Sequence, residues 1–197
     1  MTENKKENLN NRMIKFLFEG APVRGACVQM AEEWQEMIKF HHYPENVAAL
    51  LGQFTAGALL LSSTIKFEGS LILQVKGSGP IAFIYAEVRN PMSVRAMAEI
   101  REGAEIKPEM DLQELINKDG KGLCALILDP KDRRPGVQPY QGMVSLESNS
   151  VAENLENYMA KSEQLETKLY LAADCKKLGG LVIQKMPSVG GNVSEIS

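Results

Sequence analysis

The chain has 197 residues, of which 44% are hydrophobic and 24% charged, enough for one domain with a sizeable core. A net charge of −3 and a pI near 5.6 exclude a basic nucleic-acid surface, because phosphates demand an excess of lysine and arginine. Cys27, Cys124 and Cys175 are odd in number and widely spaced, which excludes a disulfide framework and predicts the free thiols of a cytoplasmic protein.

Residues 1–11 predict a flexible tail: two adjacent lysines precede no apolar run, so the segment is not a signal peptide. Arg12–Phe18 and Arg24–Met30 are apolar-rich runs that predict two strands joined by a turn through Gly20 and Pro22. Ala31–His41 spaces Trp34, Met37, Ile38 and His41 as an amphipathic helix, with Glu32, Glu33, Glu36 and Lys39 outside. Pro44 ends that helix and opens the next, since its missing N–H is not needed in a first turn.

Val47–Leu61 follows, with Gln53 its only strongly polar side chain. A helix that is apolar all round must be enclosed by protein or lipid. A bilayer crossing needs about 20 apolar residues, so the run predicts a central helix buried between sheets. Ala48, Gly52, Ala56, Gly57 and Ala58 are small enough to let the sheets approach.

From Phe67 the period becomes two: Leu71, Leu73 and Val75 face inward while Ser70, Gln74 and Lys76 face solvent. Gly77–Pro80 is a tight connection into Ile81–Val88, a strand apolar on both faces. Val94–Arg101 alternates as a strand, although Asn90-Pro91 also suits a helix start and Val94, Met97 and Ala98 fit that spacing. Asp111–Asn117 predicts a short helix, Leu123–Leu128 a strand, and Lys131–Pro139 a basic exposed loop. Tyr140–Glu147 alternates with Tyr140, Gly142, Val144 and Leu146 inward. Ser150 and Glu153 form a capping box for a helix burying Val151, Leu155, Tyr158 and Met159. Lys168–Ala173 and Leu181–Met186 are the last strands, flanking a turn at 174–180, and 188–197 is a flexible end. No repeat or linker interrupts 12–187. The pattern is α+β: β-sheets packed around a buried central apolar helix, with amphipathic helices outside.

Chemistry is scarce. His41 and His42 are adjacent and diverge by about 100° on a helix, so they do not share a metal. His41 lies on the apolar stripe and is expected to pack or cap. No nucleophile elbow or phosphate loop appears, and Gly77-Ser78-Gly79 leads into a strand rather than a helix N-terminus. No catalytic, cofactor-binding or metal-ligating residue emerges, and the chain is not expected to be an enzyme. What stands out is surface: Met97 and Met143 fall on the outward sides of their strands, where a polar residue is expected. Methionine packs against many apolar shapes, and although most of the ten methionines are core fillers, these two are candidate client contacts.

Several short segments stand in a fixed order: Phe16–Gly25, His41–Pro44 with the apolar helix after it, Lys66–Gly69 and Gly77–Pro80. Tyr140–Gly142, Leu146-Glu147 and Ser162–Leu165 complete the set. With these segments the chain resembles the N-terminal core domain of the Hsp33 family of redox-regulated bacterial chaperones. The resemblance implies an ATP-independent holdase, possible homodimerisation, and unfolded polypeptides as partners under oxidative or heat stress. In the family, zinc is held by a C-terminal module of four cysteines, and oxidation releases the metal and unfolds the module. None of Cys27, Cys124 or Cys175 matches those ligands, so no zinc and no redox switch are expected within this chain. No nucleic acid or membrane partner is expected. The other reading is a scaffold or dimerisation domain whose client binding requires a further segment.

Overall fold

A computed structural model describes residues 11–65, 67–89, 93–132 and 138–186. At its centre lies α2 (Glu45–Thr64), with Pro44 as its N-cap residue. The helix runs to 20 residues, so length alone does not keep it from lipid as the shorter apolar run suggested. Burial does: 78% of its apolar window is enclosed by the rest of the chain. Each fully buried leucine contributes roughly 1.5–3 kcal/mol, and Leu51, Leu59, Leu60 and Leu61 are all fully buried. Its hydroxyls are satisfied locally. Thr55 Oγ1 donates to the Leu51 carbonyl at 2.8 Å, and the Ser62, Ser63 and Thr64 hydroxyls donate to the carbonyls of Leu59, Leu60 and Leu61.

Two antiparallel sheets enclose this helix. The first has the order β1-β2-β9-β8, from β1 (Arg12–Leu17), β2 (Val23–Met30), β8 (Thr167–Ala173) and β9 (Leu178–Lys185). The second has the order β5-β4-β3-β6-β7, from β3 (Gly69–Lys76), β4 (Ile81–Arg89), β5 (Ser93–Ile100), β6 (Leu123–Pro130) and β7 (Tyr140–Val144). Around them lie α1 (Glu32–Ile38), α3 (Leu112–Ile116) and α4 (Val151–Lys161). The layered β/α/β reading therefore holds, and the run from Val94 is a strand, ending at Ile100.

Small residues set the layer spacing. A Cβ on Gly52 would collide with the Ala173 methyl, and one on Gly57 would meet Leu155 Cδ1 at 2.7 Å. Trp34 of α1 is fully buried, and its indole N–H donates to the Asp174 carbonyl at 2.7 Å, tying α1 to the β8–β9 turn.

Four local expectations are corrected. His41 is exposed and stacks on Tyr43, with centroids 5.0 Å apart, rather than packing into the core. Glu153 does not reach back to the helix start; its carboxylate takes the Ser148 hydroxyl, while Ser150 Oγ still accepts from the Glu153 N–H. The last turn spans only 174–177, because Gly179 and Gly180 continue β9. Ser70 is buried rather than wet, since it accepts from Arg89 Nε at 3.1 Å. Both tails lie outside the described residues, apart from Asn11, whose Oδ1 accepts from the Ala31 N–H at 3.1 Å. Much of the basic loop, residues 133–137, also lies outside them.

Candidate apolar binding surfaces

In a sheet, directly paired residues share a face. The register therefore links Met97 to Tyr85, Tyr85 to Gln74, Gln74 to Ala125, and Ala125 to Met143. Met97 and Met143 thus end one row that crosses all five strands on the face turned away from α2. They are 39% and 52% exposed. The structure places both candidate residues on one surface, at opposite edges.

Neighbouring rows on that face supply residues that sequence reasoning missed as surface. Phe83 stands beside Tyr85 with rings stacked at 6.3 Å, and Leu123 is 54% exposed. In the next row Ile127 pairs with Ile72, which the strand alternation already put on this face and which is buried. Phe83, Leu123 and Ile127 belong to runs that are apolar on both faces, which read equally well as fully enclosed strands. The signal was present, but its second face looks to solvent. Charge flanks the row on both sides: Glu99 and Lys76 pair with Phe83, while beyond Tyr85 the Arg89 Nη2 donates to Glu87 Oε1 and Tyr85 Oη to Glu87 Oε2, both at 3.2 Å. Burial, then the Glu87 carboxylate, raises the Tyr85 hydroxyl above its ordinary range.

The first sheet also turns apolar side chains outward. Ile14 pairs with Cys27, Cys27 with Leu181, and Leu181 with Tyr170, and Ile14 and Tyr170 are exposed.

Polar clusters brace these surfaces. Tyr158 of α4 donates to Glu163 Oε1 at 2.8 Å, and Tyr140 of β7 donates to the same oxygen at 3.1 Å. Gly142 makes room for this, because a Cβ there would collide with the Tyr158 hydroxyl. Tyr140 faces inward as expected, toward α4, but on the edge strand it stays half exposed, with its hydroxyl in this cluster. Burial, and then the hydrogen bonds with Tyr140 and Glu163, raise the Tyr158 hydroxyl above its ordinary value. The cysteines do not gather: Cys27 lies half-buried on β2, Cys124 is buried on β6, and Cys175 is exposed in the last turn. Among the described residues no three His, Cys, Asp or Glu side chains are arranged to hold a metal, so these residues do not fit a zinc site.

The family model for the Hsp33 protein matches residues 11–196. The chain belongs to the Hsp33 family. Among its relatives, the 33 kDa chaperonin of Neisseria gonorrhoeae (strain NCCP11945) is 40% identical over 91% of this chain and 58% of its own length. That of Nitrosococcus oceani is 40% identical over 95% of this chain and 62% of its own. The chain thus spans about three fifths of the length of these Hsp33 relatives. The crystal structure of the Thermotoga maritima 33 kDa chaperonin shares the fold, with a TM-score of 0.69 at 23% identity, over 90% of this chain and 62% of that one.

Proposed function

We propose that this Hsp33-family chain is a holdase chaperone core that captures unfolding polypeptides without ATP, under oxidative or heat stress in the cytoplasm. The observation that carries this reading is the solvent-facing side of the five-stranded sheet, where Met97, Tyr85, Phe83, Leu123 and Met143 lie on one face. Exposed apolar side chains gathered on one sheet face, here interspersed with Gln74 and Lys76, mark an interaction surface. Methionine at both ends lets it adapt to clients of different shape. Names of relatives as chaperonins support the reading. The chain works as a binder, not an enzyme, and needs no zinc of its own.

Replacing Met97 and Met143 together by Asp tests the surface. Both side chains are outside the core, so stability should change by only about 0.5 kcal/mol. Protection of a chemically denatured client, followed by light scattering, should fall several-fold. Undiminished protection by the folded double variant would show that clients bind elsewhere.

A further inference from the structure

Each sheet ends in two edge strands, and unpaired backbone groups along an edge form a template for another strand. Two of the four edges are capped at one residue by a side chain. On β5, the Tyr43 hydroxyl accepts from the Ala98 N–H at 3.0 Å and donates to the Ala98 carbonyl at 2.9 Å. On β8, Glu156 Oε1 of α4 accepts from the Leu169 N–H at 2.8 Å. A third edge, β7, is the shortest described strand at five residues.

The β1 edge is different. The Phe18 N–H donates to the Val23 carbonyl across the hairpin at 3.0 Å. The N–H and C=O of one strand residue point the same way, and successive residues point to opposite sides. Phe16 and Ile14 therefore bond β2, while Met13, Lys15 and Leu17 turn their backbone groups to the open side. Among the described residues no side chain closes that side. Side chains of the same set face inward, where Met13 and Lys15 line a cleft of about 740 Å³ between the two sheets, past the end of α2. Ser63, Ile65, Leu71 and Val88 form its other walls.

We propose that the open edge of β1 binds an extended stretch of unfolded polypeptide as a fifth strand of the four-stranded sheet, its alternate side chains entering the cleft. The edge itself defines the occupant. Donor and acceptor pairs repeated at strand spacing match an extended backbone whose own groups are unpaired, which a folded protein does not offer. Main-chain pairing is indifferent to sequence, and the cleft, where Met13, Ile65 and Leu71 stand beside Lys15, Glu68 and Arg89, accepts apolar and polar side chains alike. This inference rests on the holdase reading and adds a mode of capture to it.

The test uses a fluorescein-labelled peptide of alternating valine and threonine, about ten residues long, in a fluorescence anisotropy titration. Lys15→Pro removes an outward N–H without touching a bond to β2, and proline is tolerated at such edge positions. Peptide affinity should fall at least about fivefold in Lys15→Pro and stay within about twofold in Lys15→Ala. Two N-methylated peptides, blocked on alternate residue sets, should differ: one set faces β1 and weakens binding, the other does not. That pair decides the matter on the unaltered chain if Lys15→Pro fails to fold. Unchanged affinity in a folded Lys15→Pro, or equal binding of both N-methylated peptides, would overturn the edge site. So would loss of self-association in Lys15→Pro with peptide binding intact, which would assign the edge to a second copy of the chain. Client protection by the unaltered chain is measured separately. Protection without peptide binding refutes the edge alone, whereas no protection refutes the holdase reading.

Discussion

Two buried groups give this molecule a predictable response to alkali. Cys124 lies in the core of the five-stranded sheet, and burial pushes its thiol up to about 12 from an ordinary 9.0. Tyr158 is raised as well, by burial first and then by its bonds to Tyr140 and Glu163. In the unfolded chain both ionise earlier, so the folded state holds more protons between the two values. Stability is therefore full below about pH 9 and is lost as pH rises toward about 12, by about 1.4 kcal/mol per pH unit for a group ionised only when unfolded. Urea midpoints measured from pH 8 to 11 should fall, and the fall should be shallower in Cys124→Ala. Parallel curves for the two proteins would mean that the thiol is less enclosed than the core requires.

At the scale of the element, the central helix separates propensity from packing. Gly→Ala within a helix gains about 1 kcal/mol from propensity alone. At Gly52 the new methyl meets the Ala173 methyl, fixed to the neighbouring β8 backbone, so the layers must part. At Gly57 it meets the end of the Leu155 side chain, which can turn aside. Gly52→Ala should thus lose roughly 1–3 kcal/mol, while Gly57→Ala should lie within about 1 kcal/mol of the unaltered chain. Thermal unfolding of the two variants checks this, and equal shifts would contradict it. Element identity was legible because each depends on local pattern: Trp34, Met37 and Ile38 at helical spacing, and Leu71, Leu73 and Val75 at strand spacing. Contacts across the chain were not legible. His41 shares the stripe of Trp34 but lies past the end of α1, in a turn, so helical periodicity no longer applied to it. Tyr43 gave no sign of closing the β5 edge, because Ala98 lies far along the sequence.

The whole molecule is a sandwich whose filling is one helix and whose outer faces keep apolar side chains. Sequence identified Met97 and Met143 singly, but only the pairing register places them on one face. A strand apolar on both sides has the same pattern whether its second face meets protein or water, so Phe83, Tyr85 and Leu123 passed as enclosed. The same geometry leaves the surface uncovered among the described residues. Capture should therefore need no oxidant. The most direct measurement is light scattering from a chemically denatured client diluted into this chain, with and without prior peroxide treatment. Suppression of aggregation at near-stoichiometric ratios, equal before and after peroxide, is the expected result; no suppression, or suppression only after oxidation, would contradict it.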